Sequence, residues 1–127
     1  MGIFSFLTAF CGCKDTPEFK SVEADEFENI ISNPSVVLLD VRTADEFAES
    51  HIENAVNINV AQVNFSDEAL NKLPKNKTIA VYCRSGRRSK MAANELTKLG
   101  FQVVELDKGF HSWIDSNKQV VNGTEEE

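Results

Sequence analysis

One stretch limits the folds open to this chain more than any other. Thr78-Ile79-Ala80-Val81-Tyr82 is an apolar run of strand-forming residues. It passes at Cys83 into a loop of Arg and Gly, Arg84-Ser85-Gly86-Arg87-Arg88-Ser89, and then into the amphipathic helical pattern Lys90-Met91-Ala92-Ala93-Asn94-Glu95-Leu96. A buried strand that feeds a helix through so short a loop needs a sheet beside it and a helix layer over it.

The rest of the chain supplies both. After Pro17, Phe19 to Val22 makes a short first strand, and Ala24 to Ile31 is helical, with Phe27, Ile30 and Ile31 on one side. Asn33-Pro34-Ser35 turns the chain, because Pro34 biases Asn33 out of the α region. Val36-Val37-Leu38-Leu39-Asp40-Val41 is an unbroken apolar run of the kind covered on both faces. Thr43 and Glu46 form a capping box for the next helix, so Glu46 is assigned to that cap. Ala55 to Ile58 is a third strand, and Ser66 caps a helix that ends near Leu73 at Pro74. Arg88 to Leu99 is the helix after the Cys83 loop, closed by Gly100, and Phe101 to Leu106 is a fifth strand. Phe110, Trp113 and Ile114 share one side of a last helical piece. The pattern predicts an α/β domain: a mainly parallel five-stranded sheet with helices on both faces. Its boundaries are an apolar arm over 1–16, one domain over 17–116 and an acidic, disordered tail over 117–127.

In such sheets ligands bind outside the carboxyl ends of the strands, where Cys83 and Asp40 both fall. A thiol there faces backbone N–H groups at a helix N-terminus, which carries roughly half a positive charge. With Arg84, Arg87 and Arg88 near in sequence, the thiolate is expected to form below the ordinary thiol value of ~8.5. Four of the 13 Lys and Arg residues lie between Arg84 and Lys90, in a chain of net charge −7. That mouth suits a small anion.

Composition narrows the remaining classes. Twenty Asp and Glu against 13 Lys and Arg, with a pI near 4.8, argue against nucleic acid or an anionic membrane as partner. Three cysteines at 11, 13 and 83 make neither a disulfide framework nor a zinc pattern, so no metal is expected and a reducing, cytoplasmic setting suits the free thiol. The first 13 residues hold Phe4, Phe6, Leu7 and Phe10 but no cation before the apolar run, unlike a signal peptide, and are too short to cross a bilayer. They are read as an arm packed on the domain or disordered. The alternative is export or membrane tethering through residues 1–13, with Cys11 or Cys13 as the modified residue.

The loop CRSGRRS resembles the active-site loop of the rhodanese-like (sulfurtransferase) family, Cys-x-x-Gly-x-Arg-Ser. LDVRTADEFAESHIENAVNI resembles the family's second signature and DKGFHSW its late turn before an aromatic helix. The resemblance covers about residues 19–114. It departs at Lys108, where Gly is usual, and at Glu53-Asn54, where Gly or Pro-Gly is usual; Asn tolerates the left-handed conformation such a turn needs. The resemblance implies a rhodanese-like fold and a persulfide carrier without cofactor. Cys83 would take sulfur from thiosulfate or a related anionic donor and pass it to cyanide, another thiol or a protein acceptor. A monomer is the expectation.

Within that reading Arg84, Ser85, Gly86, Arg87, Arg88 and Ser89 bind the donor. Arg84 and Arg87 point into the mouth, and Arg88 braces the loop through Asp40. Asp40 and Arg42 support the loop, and His51 and His111 are a turn residue and a surface residue. Two rival functions are open. A Cys-dependent phosphatase or arsenate reductase shares the thiolate-and-Arg loop, but the cell-cycle phosphatases of this fold place five residues between Cys and Arg, against four between Cys83 and Arg88 here. A silent docking module is the other, and such modules usually lose the nucleophile. Cys11 and Cys13 could also serve Cys83 as resolving thiols.

Overall fold

The computed structural model describes residues 18–122. The apolar arm with Cys11 and Cys13, and the acidic end of the tail, lie outside the described residues. In chain order the elements are β1 (Lys20–Val22), α1 (Ala24–Ile31), β2 (Val36–Asp40), α2 (Ala44–Glu49), β3 (Val56–Asn57), α3 (Phe65–Lys72), β4 (Thr78–Tyr82), α4 (Arg87–Lys98), β5 (Gln102–Leu106) and α5 (Gly109–Asp115). The five strands form one parallel sheet in the order β1-β5-β4-β2-β3, so β4 is central.

Strand alternation sends odd and even residues to opposite faces, and the two cores divide accordingly. Leu39, Val41, Ile79, Val81, Cys83 and Val103 meet Phe65, Ala69, Ala92, Ala93 and Leu96 of α3 and α4. Leu38, Ala80, Tyr82, Val104 and Leu106 meet Phe27 of α1 and Phe110 and Trp113 of α5. An α/β sheet with a helix layer on each face is therefore the architecture, as the strand pattern predicts.

Local chemistry explains most boundaries. Asn33 Oδ1 accepts from the Ser35 N–H and hydroxyl at 2.9 Å each, closing the turn before β2. Thr43 and Glu46 complete the capping box. Asn54 takes φ +73° in the turn before β3, and Gly100 takes φ +99° after α4.

Two expectations need correction. Helix α3 starts at Phe65 behind Asn64 and not behind Ser66, because Phe65 is buried and draws the first turn onto the core. The chain also stays packed past residue 117. Lys118 Nζ lies 2.8 Å from Asp25 Oδ1 and 2.9 Å from Glu28 Oε1, Trp113 Nε1 donates to Gln119 O at 2.8 Å, and Val121 pairs its backbone with His51 in both directions at 2.9 Å. A tail read as polar is held by partners distant in sequence. Among the described residues no helix is long and apolar enough to cross a membrane.

Candidate active site

Cys83 leaves β4 at the carboxyl edge of the sheet, in the middle of the strand order. Its side chain continues the apolar face of Ile79 and Val81, and the residue is only 1% exposed. Residues 83–86 fold into a tight turn because Gly86, the residue before α4, adopts φ +104°. A Cβ there would sit 1.9 Å from Asp107 O, so only glycine lets the loop close on the turn after β5. That closure aims the Gly86 N–H at Cys83 Sγ, at 3.1 Å.

The loop is pinned from a second side by the start of α5. Phe110 N–H donates to Cys83 O at 2.8 Å and His111 N–H to Arg84 O at 3.0 Å. Gly109, at φ +70°, makes this contact feasible, since a Cβ would lie 2.4 Å from Arg84 O. Lys108, the departure from the family's paired glycines, is two-thirds exposed and lies 3.9 Å from Glu23 on the surface.

Arg84, Ser85 and Arg87 are exposed around the mouth, and Gly86 and Ser89 are buried beneath it. Cations at a helix N-terminus oppose the helix dipole, so Arg87 and Arg88 in the first turn of α4 break a rule of local stability. Such violations concentrate at functional sites. A bound anion in the turn would relieve this one. Beside it, Arg42, Ser50, Arg84, Phe110 and His111 line a shallow cleft of about 320 Å³.

Arg88 does not brace the loop through Asp40. Its guanidinium forms a two-pronged pair with Glu46, at 2.8 and 3.0 Å, tying α4 to α2. The Glu46 carboxyl is pulled down to about 2, first by the Arg88 hydrogen bond, against partial burial and with help from the Thr43 N–H. Glu46 thus does two jobs, the helix cap and the ion pair. Asp40 is instead held mainly from within its own segment. It is fully buried, and Arg42 reaches it through Nε (3.1 Å to either oxygen), Nη2 (2.8 Å) and its backbone N–H (2.9 Å). The Arg42 guanidinium also donates to Ser50 O at 2.7 Å and lies 4.4 Å from the Phe110 ring centre. Burial works against its charge, and the Asp40 contacts outweigh that, leaving Arg42 above its ordinary value. Asp40 and Arg42 therefore shape the wall under the loop without touching the Arg residues of the loop.

His51 is buried, stacked on Phe47 at 3.7 Å between ring centres, with Nδ1 2.9 Å from Phe47 O. His111 is exposed at the cleft rim.

One participant was not singled out from the sequence. Glu105 of β5 is fully buried, with Oε1 accepting from Ser21 Oγ at 2.6 Å and Oε2 from Ser89 Oγ at 2.5 Å, while Lys90 Nζ lies 3.2 Å away. Ser89 Oγ is in turn 3.4 Å from Cys83 Sγ. Glu105 is the one charged residue in the apolar run from Phe101 to Leu106, and that was the available signal.

Residues 23–116 match the family model described as Rhodanese-like domain. The chain belongs to the rhodanese-like family. Among similar proteins, this rhodanese-like chain is 32% identical over 96 residues to the thiosulfate sulfurtransferase GlpE of Coxiella burnetii, covering 75% of this chain and 87% of that one. It is 36% identical over 87 residues to the Bacillus subtilis protein named "Putative sulfur carrier protein YrkF", covering 68% of this chain. The match spans 45% of that protein's length. A crystal structure of a rhodanese-related protein from Thermoplasma volcanium superposes with a TM-score of 0.70 at 31% identity, covering 80% of this chain and 97% of the other. Family and fold are thereby shown together.

Proposed function

We propose that this rhodanese-like domain is a sulfurtransferase that moves a sulfane sulfur from thiosulfate, or a related small anionic donor, to a thiophilic acceptor through a persulfide on Cys83. The observation that carries this reading is the Cys83 turn: a thiol at a helix N-terminus, with a backbone N–H on its sulfur and Arg84 and Arg87 exposed around it. Relatives named for thiosulfate sulfurtransfer and sulfur carriage support the same chemistry.

The Cys83 thiolate attacks the outer sulfur of thiosulfate. The donor's S–S bond breaks, sulfite leaves with its electron pair, and Cys83–S–S⁻ remains. Cyanide or an acceptor thiolate then attacks the terminal sulfur, and the Cys83 thiolate departs. Every participant is an anion, so the protein's task is to hold negative charge, which the Gly86 N–H and the basic rim do. Ser85, Gly86, Arg87 and Ser89 complete the ring around the terminal sulfur. No resident metal or cofactor takes part in either step.

Arg88 speaks against the phosphatase alternative. A phosphatase loop turns its arginine onto the anion, whereas this guanidinium is engaged by both carboxylate oxygens of Glu46 in α2. The retained Cys83 speaks against a silent docking module.

Intact mass after incubation with thiosulfate tests the reading. The full chain should gain one sulfur atom, lose it to cyanide, and gain none as Cys83→Ser with an unchanged melting temperature. Sulfur transfer that survives in Cys83→Ser would sink the assignment.

A further inference from the structure

A buried carboxylate two hydrogen bonds from the nucleophile has no part in the mechanism above. Glu105 sits behind α4 because of strand alternation. Val103 faces the α4 core, so Glu105, two residues on, faces it too, and in register it stands opposite Val81, two residues before Cys83. Ser89, in the first turn of α4, fills the gap between the two side chains. Lys90, the next residue, folds back to Glu105 at 3.2 Å, to Asp107 Oδ1 at 2.8 Å and to Asp107 O at 3.0 Å.

Resting on the sulfurtransferase reading, we propose that Glu105 is the internal proton acceptor for Cys83, reached through the Ser89 hydroxyl. Ser89 has a single hydrogen. An oxygen pair 2.5 Å apart needs a hydrogen between them, so with Glu105 ionised that hydrogen belongs to the Ser89–Glu105 contact. Ser89 Oγ then offers sulfur a lone pair, which suits an S–H donor. A thiolate in the same place would be repelled by that lone pair unless Ser89 turned its hydrogen to sulfur. The Ser89–Glu105 contact would then need a proton on the carboxyl. Negative charge on sulfur and negative charge on Glu105 are therefore alternatives.

The proton balance is closed. On loading, the S–H bond of Cys83 breaks, its proton passes to Ser89 Oγ, and the Ser89 proton passes to Glu105 Oε2. Cys83–SH, thiosulfate and the Glu105 carboxylate become Cys83–S–S⁻, sulfite and the Glu105 carboxylic acid. On discharge to cyanide, the persulfide and the carboxylic acid give back thiol and carboxylate as thiocyanate leaves. No electrons move beyond the sulfur exchange itself, and no proton enters from water. With Cys83 1% exposed, a route inside the protein replaces direct transfer to solvent.

The groups facing Glu105 come from four segments. Lys90 comes from α4, Asp107 lies beyond it at the end of β5, Cys83 comes from β4, and β1 contributes the Ser21 hydroxyl. Lys90 is held above its ordinary value: burial opposes its charge, and hydrogen bonds to Asp107 and Glu105 prevail. It stays a cation and favours the carboxylate, so it draws the proton back off Glu105 once sulfur gives up its charge. Glu105 touches neither donor nor acceptor, so it is a positioning residue for the proton.

The test is the rate of Cys83 alkylation by iodoacetamide against pH in the full chain, scored by peptide mass because Cys11 and Cys13 also react. In the unmodified protein the rate should be flat through the neutral range, since thiolate plus carboxylic acid holds as many protons as thiol plus carboxylate. In Glu105→Gln it should fall about a hundredfold near neutral pH and climb in proportion to hydroxide. Ser89→Ala, which keeps Glu105 with Ser21 and Lys90, should show the same slope, and it decides the matter if the Gln variant does not fold. A variant rate equal to or above that of the unmodified protein, with unchanged pH dependence, overturns the proposal. Removal of a merely repelling charge or a structural prop would give that result. Because alkylation uses no sulfur donor, a chain that shows the Glu105-dependent slope yet gains no sulfur from thiosulfate overturns the sulfurtransferase reading and leaves the proton acceptor standing.

Discussion

Two buried carboxylates flank Cys83, Asp40 at the end of β2 and Glu105 near the end of β5, and both are fully inaccessible. Asp40 is held mainly from within its own segment, by the side chain and backbone of Arg42 two residues away, with the Tyr82 hydroxyl of β4 beside it. Glu105 is satisfied from Ser21, Ser89 and Lys90, on two other elements. The first carboxylate is locked to a permanent cation and has no direct contact with Cys83. The second has a hydroxyl between itself and the sulfur, and its cation is shared with Asp107. The same functional group at the same sheet edge is thus structural in one place and available for chemistry in the other. What differs is whether a hydroxyl links the carboxylate to Cys83 Sγ.

The largest expected effect separates the two by stability. Asp40→Asn leaves the Arg42 charge buried without its partner and should cost about 3–5 kcal/mol. Glu105→Gln leaves Lys90 with Asp107 and keeps one carbonyl acceptor, while its NH2 group donates to the second hydroxyl, so about 1 kcal/mol is expected. Urea unfolding of both variants measures this directly. Equal losses would erase the distinction and make Glu105 a second structural lock.

A smaller effect tests whether a third acid, Glu46, is structural in the way Asp40 is. Its carboxyl is lowered to about 2 from an ordinary 4.5, so its ion pair stabilises the fold fully above about 4.5 and loses that contribution as pH falls through about 2. Both partners are partly exposed, so Arg88→Ala should cost only about 1 kcal/mol at neutral pH. The deficit relative to the unmodified protein should shrink across that acidic window. A deficit that stays constant down to about pH 2 would assign the loss to packing of the Arg88 side chain instead. Sulfur loading by the Arg88 variant should be retained, since its guanidinium already serves Glu46.

The smallest effect concerns the rim. Arg84→Ala and Arg87→Ala remove exposed cations and should leave unfolding unchanged while raising the apparent KM for thiosulfate several-fold. Added salt should narrow the gap between variant and unmodified protein, because screened rim charges no longer steer the donor. A fall in kcat with unchanged KM would move these arginines from recruitment to stabilisation of the transition state.

Features that rest on near neighbours were legible before any coordinates. The alternation of strands and helices, the Thr43–Glu46 box, the left-handed turns at Asn54 and Gly100, and the Cys83 turn with its glycine depend on groups a few residues apart. Hydrogen bonds of that range leave their mark as residue spacing. Even the Asp40–Arg42 pair was within reach on the same ground, although Asp40 was instead matched to a loop arginine.

Partner choice between elements was not legible, because it follows from strand order and register. Placing β5 between β1 and β4 lets Glu105 reach Ser21 and, through Ser89, Cys83, and closing the sheet brings Glu46 of α2 to Arg88 of α4. The polar stretch at 118–121 is likewise held by α1, α5 and His51, with Val120 against the core. Residue type and spacing by themselves determined that a thiol would stand at a helix N-terminus on a parallel sheet. Only the tertiary structure decided which buried acid lies behind it, since a side chain 22 residues along the chain is a neighbour only after the sheet has closed.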